Sequence, residues 1–246
     1  MEDKKFALLI DADNTSSKYI KTIVDEITNL GITTYRRIYG DWTSTLLQSW
    51  KDILLEYSIT PMQQYGYTTG KNSTDSAMII DAMDILYTGD VDGFCLVSSD
   101  SDFTKLAVRL REAGKTVVGM GKQQTPRPFV TACNQFKYLD LLSKEGQETP
   151  AAKKSQKKTS ATTKKKTNQK LVDAIRKIIE ENSDAGGWMY AAKVGILLQK
   201  KMPDFDCRNY GYKKFSQLLD GVGFETRKEA GADDPNACEL FVKIKE

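Results

Sequence analysis

The chain has 246 residues, 40% apolar and 28% charged, with a formal net charge of +3, which suits one medium domain and one small one of ordinary globular composition. It contains no histidine, and this excludes Ser-His-Asp and Cys-His nucleophile pairs, imidazole bases and histidine-ligated metals. No apolar run reaches the ~18 residues of a membrane-spanning helix, and Met1-Glu2-Asp3-Lys4-Lys5 lacks the apolar core of a secretory signal. A cytoplasmic address without membrane attachment is expected, with the nucleus as the other option. The four cysteines, Cys95, Cys133, Cys207 and Cys238, form no Cys-x-x-Cys pair, so reduced thiols are expected rather than zinc ligands.

Charge is unevenly spread. Residues 1–145 hold 16 basic and 19 acidic side chains, whereas 146–246 hold 20 and 14. Seven lysines and no acid fall within 149–169, so the basic character belongs to a connecting segment.

The first strand is predicted at Phe6–Ile10, a continuous apolar run of the kind buried on both faces of a sheet. Ser16 or Ser17 can cap a helix that runs to Leu30 and stops at Gly31. Thr33–Tyr39 is predicted as the second strand; it contains Arg36 and Arg37, one of which can project toward the cleft. A helix follows from Thr43 to Tyr57, with Leu46, Leu47, Trp50, Ile53 and Leu54 on one side. Thr60–Tyr65 is predicted as the third strand, and Ser73 or Thr74 opens a helix ending near Gly89. Gly93–Val97 is the fourth strand and Asp102–Ala113 the next helix. Lys115–Met120 is the fifth strand, Pro126 or Pro128 begins another helix, and Phe136–Leu139 closes as a short strand. Alternating β and α units imply a parallel sheet with helices on both faces and a ligand site at the carboxyl ends of its strands.

Residues 147–168 are mostly Lys, Thr, Ser, Gln and Ala, with one Pro and no large apolar side chain, the composition of a flexible linker. A second domain is expected over 169–246. Leu171, Val172, Ile175, Ile178 and Ile179 share one helical face. Lys193–Lys201 and Tyr212–Leu219 are predicted helices, and Phe224–Arg227 with Leu240–Ile244 a β-pair. Three helices and a β-wing describe a winged helix-turn-helix.

The first strand runs into Asp11-Ala12-Asp13-Asn14-Thr15 and the fourth into Ser98-Ser99-Asp100-Ser101-Asp102. Both are carboxyl ends of strands, and alternation sends Asp11 and Asp13 to one side. Helix caps and turn residues would account for either segment alone. Two such ends in one sheet favour a cation, because clustered carboxylates repel one another. At about 100° per residue, Asp75 shares a face with Met78, Ile79, Ala82 and Leu86, whereas Asp81 and Asp84 fall on the polar side. An acid on an apolar face needs a partner, whether helix N–H groups, an arginine, or a metal shared with the strand ends. Oxygen-only ligands select Mg²⁺ or Mn²⁺ over Zn²⁺, and such a site suits phosphoryl chemistry.

The runs LLIDADN, KNSTDSAMIIDAMD and LVSSDSDF, in this order and spacing, resemble the NYN domain of the PIN-like nuclease superfamily, which includes LabA-like proteins; the resemblance covers about residues 4–141. The segment PDFDCRNYGYKKFSQLL resembles the OST-HTH or LOTUS domain over about 170–245. The resemblance implies a PIN-like three-layer α/β/α domain over 1–146 and metal-dependent cleavage of RNA. It carries the catalytic and metal-binding acids onto Asp11, Asp75, Asp100 and Asp102, with Asn14, Asp13 and Asp81 in supporting places. It also implies an RNA-binding second domain, which in some LOTUS proteins binds a protein partner.

Ser98 and Ser99 offer hydroxyls near the acids, and Lys71, four residues before Asp75, offers a cation for phosphate. In the second domain Arg208, Tyr210, Tyr212, Lys213 and Lys214 mix charge with rings, as single-stranded RNA requires; the other reading places the tyrosines in the core. Lys164-Lys165-Lys166 fits either non-specific RNA affinity or a nuclear-import signal. The leading expectation is a metal-dependent ribonuclease with a tethered RNA-binding module. A catalytically silent RNA-binding adaptor is one alternative. A haloacid-dehalogenase-like phosphatase is another, since Asp11-Ala12-Asp13-Asn14-Thr15 fits Asp-x-Asp-x-Thr with Asp11 as nucleophile.

Overall fold

In a computed structural model, residues 3–65, 73–145, 161–230 and 238–245 are described. They divide into two compact units, 1–146 and 147–246. Among these residues no helix is long and apolar enough to cross a membrane.

The first unit alternates strands and helices: β1 (Lys5–Asp11), α1 (Ile20–Thr28), β2 (Ile32–Gly40), α2 (Gln48–Lys51), β3 (Thr60–Gln63), α3 (Ser73–Thr88), β4 (Gly93–Val97), α4 (Thr104–Glu112), β5 (Thr116–Gly121), α5 (Arg127–Ala132), β6 (Gln135–Tyr138) and α6 (Leu139–Glu145). The strands form one sheet in the order β3-β2-β1-β4-β5-β6, every pairing parallel. The chain therefore builds outward from β1 on one side, then returns to β1 and builds outward on the other. The reversal lies between β1 and β4, the switch point at which sheets of this kind form a crevice outside the carboxyl ends of their strands.

Strand alternation sorts the apolar side chains into two cores. Phe6, Leu8 and Ile10 of β1 join Ile20, Ile23 and Ile27 of α1, with Trp50 and Leu139. Ala7 and Leu9 join Met78, Ala82 and Ile85 of α3, Leu106 and Leu110 of α4, and Phe129. The sheet is thus covered on both faces, which is why its strands read as continuous apolar runs rather than alternating ones. At Gly31 a Cβ would run into the Lys4 carbonyl, so only glycine allows the chain to turn from α1 into β2 against the edge of β1.

Several elements differ from expectation. The helix expected over Thr43–Tyr57 is a 3-10 turn, Thr45–Leu47, running into the four residues of α2. Leu47, Trp50 and Leu54 are buried as predicted, but Leu46 is 87% exposed, because so short a helix presents no continuous face. α6 was not anticipated; it directly follows β6 and buries Leu139 and Leu142.

The second unit comprises α7 (Ala161–Asn182), β7 (Trp188–Tyr190), α8 (Ala191–Lys201), α9 (Phe215–Gly221), β8 (Glu225–Ala230) and β9 (Cys238–Lys243). The three strands pair antiparallel in the order β7-β9-β8, so the wing is a three-stranded sheet rather than a pair. Leu171, Ile175, Ile178 and Ile179 of α7 pack with Val194, Leu198, Leu218, Leu219 and Val242. α7 starts at Ala161, inside the stretch expected to be linker. Lysine, threonine and alanine are compatible with a helix continuing from a packed segment. Tyr212 lies outside α9, preceded by an unanticipated 3-10 turn at Cys207–Tyr210.

Candidate functional site

Register decides what meets at the crevice. Ile10 pairs with Val97 across β1 and β4, so the next residues, Asp11 and Ser98, leave the sheet side by side. Asp11 has the parity of Ala7 and Leu9, and Ser98 that of Phe94 and Leu96. Both therefore face the layer of α3 and α4.

Asp11 is fully buried. Its Oδ1 accepts from the backbone N–H of Asp13 (3.0 Å) and of Asn14 (3.2 Å). Its Oδ2 accepts from Asn14 Nδ2 (2.8 Å) and Ser98 Oγ (2.7 Å). Burial pushes the Asp11 carboxyl up, while the hydrogen bonds from Ser98 and Asn14 pull it back. A carboxylate has about four lone-pair sites, and these four donors occupy them. Ser98 Oγ also accepts from the Asp100 N–H at 3.0 Å, so one hydroxyl joins the ends of β1 and β4.

Above this base, Asp75, Asp100 and Asp102 each offer a carboxylate oxygen, all within 4.8 Å of one another. Asp75 comes from the first turn of α3. Asp100 caps the 3-10 turn Ser101–Phe103, its side chain accepting from the Asp102 N–H at 2.9 Å. The turn is anchored by Phe103, which is buried in the core below. Burial, reinforced by the charges of Asp11, Asp100, Asp102 and Asp13, pushes the Asp75 carboxyl up to about 6. Three hard oxygen donors from two segments, held against their own repulsion, fit a divalent cation with oxygen ligands.

The structure thus gathers Asp75, Asp100 and Asp102, and sets Asp11 beneath them with its oxygens already engaged. Asp13 is exposed; β1 ends at Asp11 and the chain turns there, so strand alternation does not reach it. Asn14 and Ser98 hold Asp11, and Ser99 Oγ accepts from the Lys122 N–H at 2.9 Å, tying the loop to the end of β5. Asp81 lies on the polar side of α3, but that side is packed against β2 rather than left to solvent. Both its oxygens are taken, by Arg37 and by the Tyr39 hydroxyl, because α3 lies across β1 and β2 and its flank meets polar side chains of β2. Lys71 lies outside the described residues. An attack by Asp11 on a phosphate ester does not fit an enclosed carboxylate with no open lone pair.

In the second unit the expected RNA-facing set divides. Arg208 is held by Asp206 through Nε (3.0 Å) and Nη2 (2.7 Å). Tyr210 and Tyr212 pack against the core, Tyr210 beside Phe205 with ring centroids 6.2 Å apart. Lys213 and Lys214 are exposed. The sequence reading passed over the outer face of the wing, where the Arg227 guanidinium lies 4.1 Å from the Trp188 ring centroid and Tyr190 packs on Phe241. Trp188 and Tyr190 at alternate positions after Gly186-Gly187 were the signal for it.

Two family models match the chain. One is the NYN domain, over residues 5–140. The chain belongs to the NYN family. The other is the OST-HTH/LOTUS domain, over residues 163–231, so the NYN chain joins a PIN-like nuclease domain to an RNA-binding module. Its start at residue 163 accords with α7 beginning at Ala161. No curated protein matches the sequence. Among solved structures, a Vibrio parahaemolyticus protein of unknown function is similar at 21% identity over 56% of this chain and 93% of its own, with a TM-score of 0.48. A Listeria monocytogenes protein described as a candidate UDP-N-acetylglucosamine 2-epimerase is similar at 8% identity over 85% of this chain and 71% of its own, with a TM-score of 0.35.

Proposed function

We propose that this NYN protein is a Mg²⁺- or Mn²⁺-dependent endoribonuclease whose OST-HTH/LOTUS domain holds RNA near the cleaving site. The observation that carries this reading is the meeting of Asp75, Asp100 and Asp102 at the switch point of a parallel sheet, over the buried Asp11. These three acids would hold the cation. When bound, it would supply a Lewis acid and a water of lowered pKa for attack on a phosphodiester.

The chain's own residues prepare that chemistry. Asp11 keeps a carboxylate beneath the ligands and fixes the Asn14 amide and the Ser98 hydroxyl. Ser98 fixes the Asp100 backbone, and Asp100 fixes the start of the turn that carries Asp102. Asp75 holds a proton at its carboxyl through mildly acidic pH, and that proton leaves when a cation binds. In the second unit, exposed Lys213 and Lys214 are the phosphate contacts, and Arg208, Tyr210 and Tyr212 shape the domain that presents them.

The test is cleavage of single-stranded RNA in Mg²⁺ or Mn²⁺, wild type beside Asp100→Asn. Wild type cuts internally and the variant falls to background while keeping its circular dichroism spectrum. A wild type that binds RNA but leaves varied RNAs intact with both metals is the adaptor instead, and the ribonuclease reading fails.

A further inference from the structure

A polar network lies on the α3 face of the sheet, just behind the carboxylate cluster. Arg37 of β2 donates through Nη1 to Asp81 Oδ1, and the Tyr39 hydroxyl donates to Asp81 Oδ2. The Arg37 guanidinium also lies 5.2 Å from the centroid of the Tyr35 ring. The Arg37 and Asp81 side chains keep 28% and 16% of their exposure, and Tyr39 keeps 1%.

An ion pair this enclosed is a weak source of net stability, since desolvation offsets much of its attraction. What it supplies is a fixed geometry: one helix register satisfies both oxygens of Asp81, and a shift of α3 leaves buried polar atoms unpaired. The register it fixes bears on the site. Asp75 sits on the same helix, six residues before Asp81, or about 9 Å along the axis. Tyr39 also reaches the other half of the site through its backbone. It pairs in register with Asp11, and its carbonyl accepts from the Ala12 N–H at 3.0 Å. One residue thus holds the end of β1 by its main chain and α3 by its hydroxyl.

We propose that Arg37, Asp81 and Tyr39 are positioning residues that lock α3 against β2, so that Asp75 meets Asp100 and Asp102 at the distance a divalent cation requires. The inference rests on the metal-site reading above. It assigns Asp81 to the helix clamp rather than to the ligand set, and gives Arg37 a role that its place in a strand did not disclose.

The experiment is a Mn²⁺ titration of the full chain, followed by calorimetry and by the electron paramagnetic resonance signal of free Mn²⁺. It compares wild type, Tyr39→Phe, Asp81→Asn and Leu110→Ala. Leu110 of α4 is buried in the same core and takes no part in these hydrogen bonds, and its truncation controls for loss of stability alone. Urea melts confirm that each variant is folded at the titration temperature. Tyr39→Phe changes no charge, and its Mn²⁺ dissociation constant rises on the order of tenfold, the low end for outer partners of metal ligands. Leu110→Ala binds like wild type. Folded Tyr39→Phe and Asp81→Asn proteins with wild-type Mn²⁺ affinity overturn the positioning role and leave the metal site standing. A wild type that takes up no Mn²⁺ overturns the metal site, and the clamp's role with it.

Discussion

Replacing Asp75 by Asn should stabilise the metal-free NYN domain while removing a ligand it needs. The Asp75 carboxyl is raised from 3.8 to about 6 by burial and four neighbouring aspartates. At ~1.36 kcal/mol per unit, a rise of roughly two units corresponds to about 3 kcal/mol. Asp75 is only half-buried, and solvent screening reduces this to about 1–1.5 kcal/mol. The sign follows from the raised folded-state value. The contribution is present in full below about pH 4 and is lost as pH rises through about 6. Asn does not ionise, so at pH 8 the variant melts about 3–5 °C above wild type for a domain of this size, and the gap closes toward pH 4. Differential scanning calorimetry in EDTA, at intervals from pH 4 to 8, reads this from the difference between the two proteins, which cancels groups common to both. Saturating Mn²⁺ reverses the order, because only wild type gains the binding free energy. A variant that melts below wild type at pH 8 in EDTA, or a gap that does not shrink on acidification, refutes the account of Asp75.

Ser98→Ala removes the 2.7 Å donor to buried Asp11 and the acceptor for the Asp100 N–H; urea unfolding should show a loss of about 2–3 kcal/mol, and a loss below about 0.5 kcal/mol would mean that water replaces the hydroxyl. Lys213→Ala and Lys214→Ala together should lower the slope of log K against log salt for single-stranded RNA by about 1.4, or ~0.7 per phosphate contact; an unchanged slope places the RNA elsewhere. Gly221→Ala puts a Cβ into the Tyr212 ring and should cost the second unit about 1–3 kcal/mol, leaving the melting of the NYN unit unchanged. If RNA affinity falls without loss of that unit's stability, Tyr212 faces RNA rather than the core.

Much of this protein was legible in the linear sequence because the signals are local. Continuous apolar runs such as Phe6–Ile10 and Gly93–Val97 fixed the parallel sheet, since a strand covered on both faces has no polar positions. LLIDADN, KNSTDSAMIIDAMD and LVSSDSDF together marked the NYN domain, and the absence of histidine directed attention to carboxylates. The helical wheel placed Asp75 on the inward face, where it lies. The same wheel placed Asp81 on the polar side but could not name what it meets there, because Arg37 and Tyr39 come from a strand more than 40 residues away in sequence. The division of labour among the acids was equally out of reach. Asp11 and Asp100 read alike as acids at strand ends. Only the register of β1 against β4 brings Ser98 onto Asp11 and fills its lone pairs, while Asp75, Asp100 and Asp102 are left facing one another. Likewise the sequence shows tyrosines and lysines side by side at 210–214, and only packing shows that the rings turn inward while the two lysines remain in solvent. Residue type and spacing determined which chemistry this chain can carry; long-range pairing decided which side chains meet to carry it.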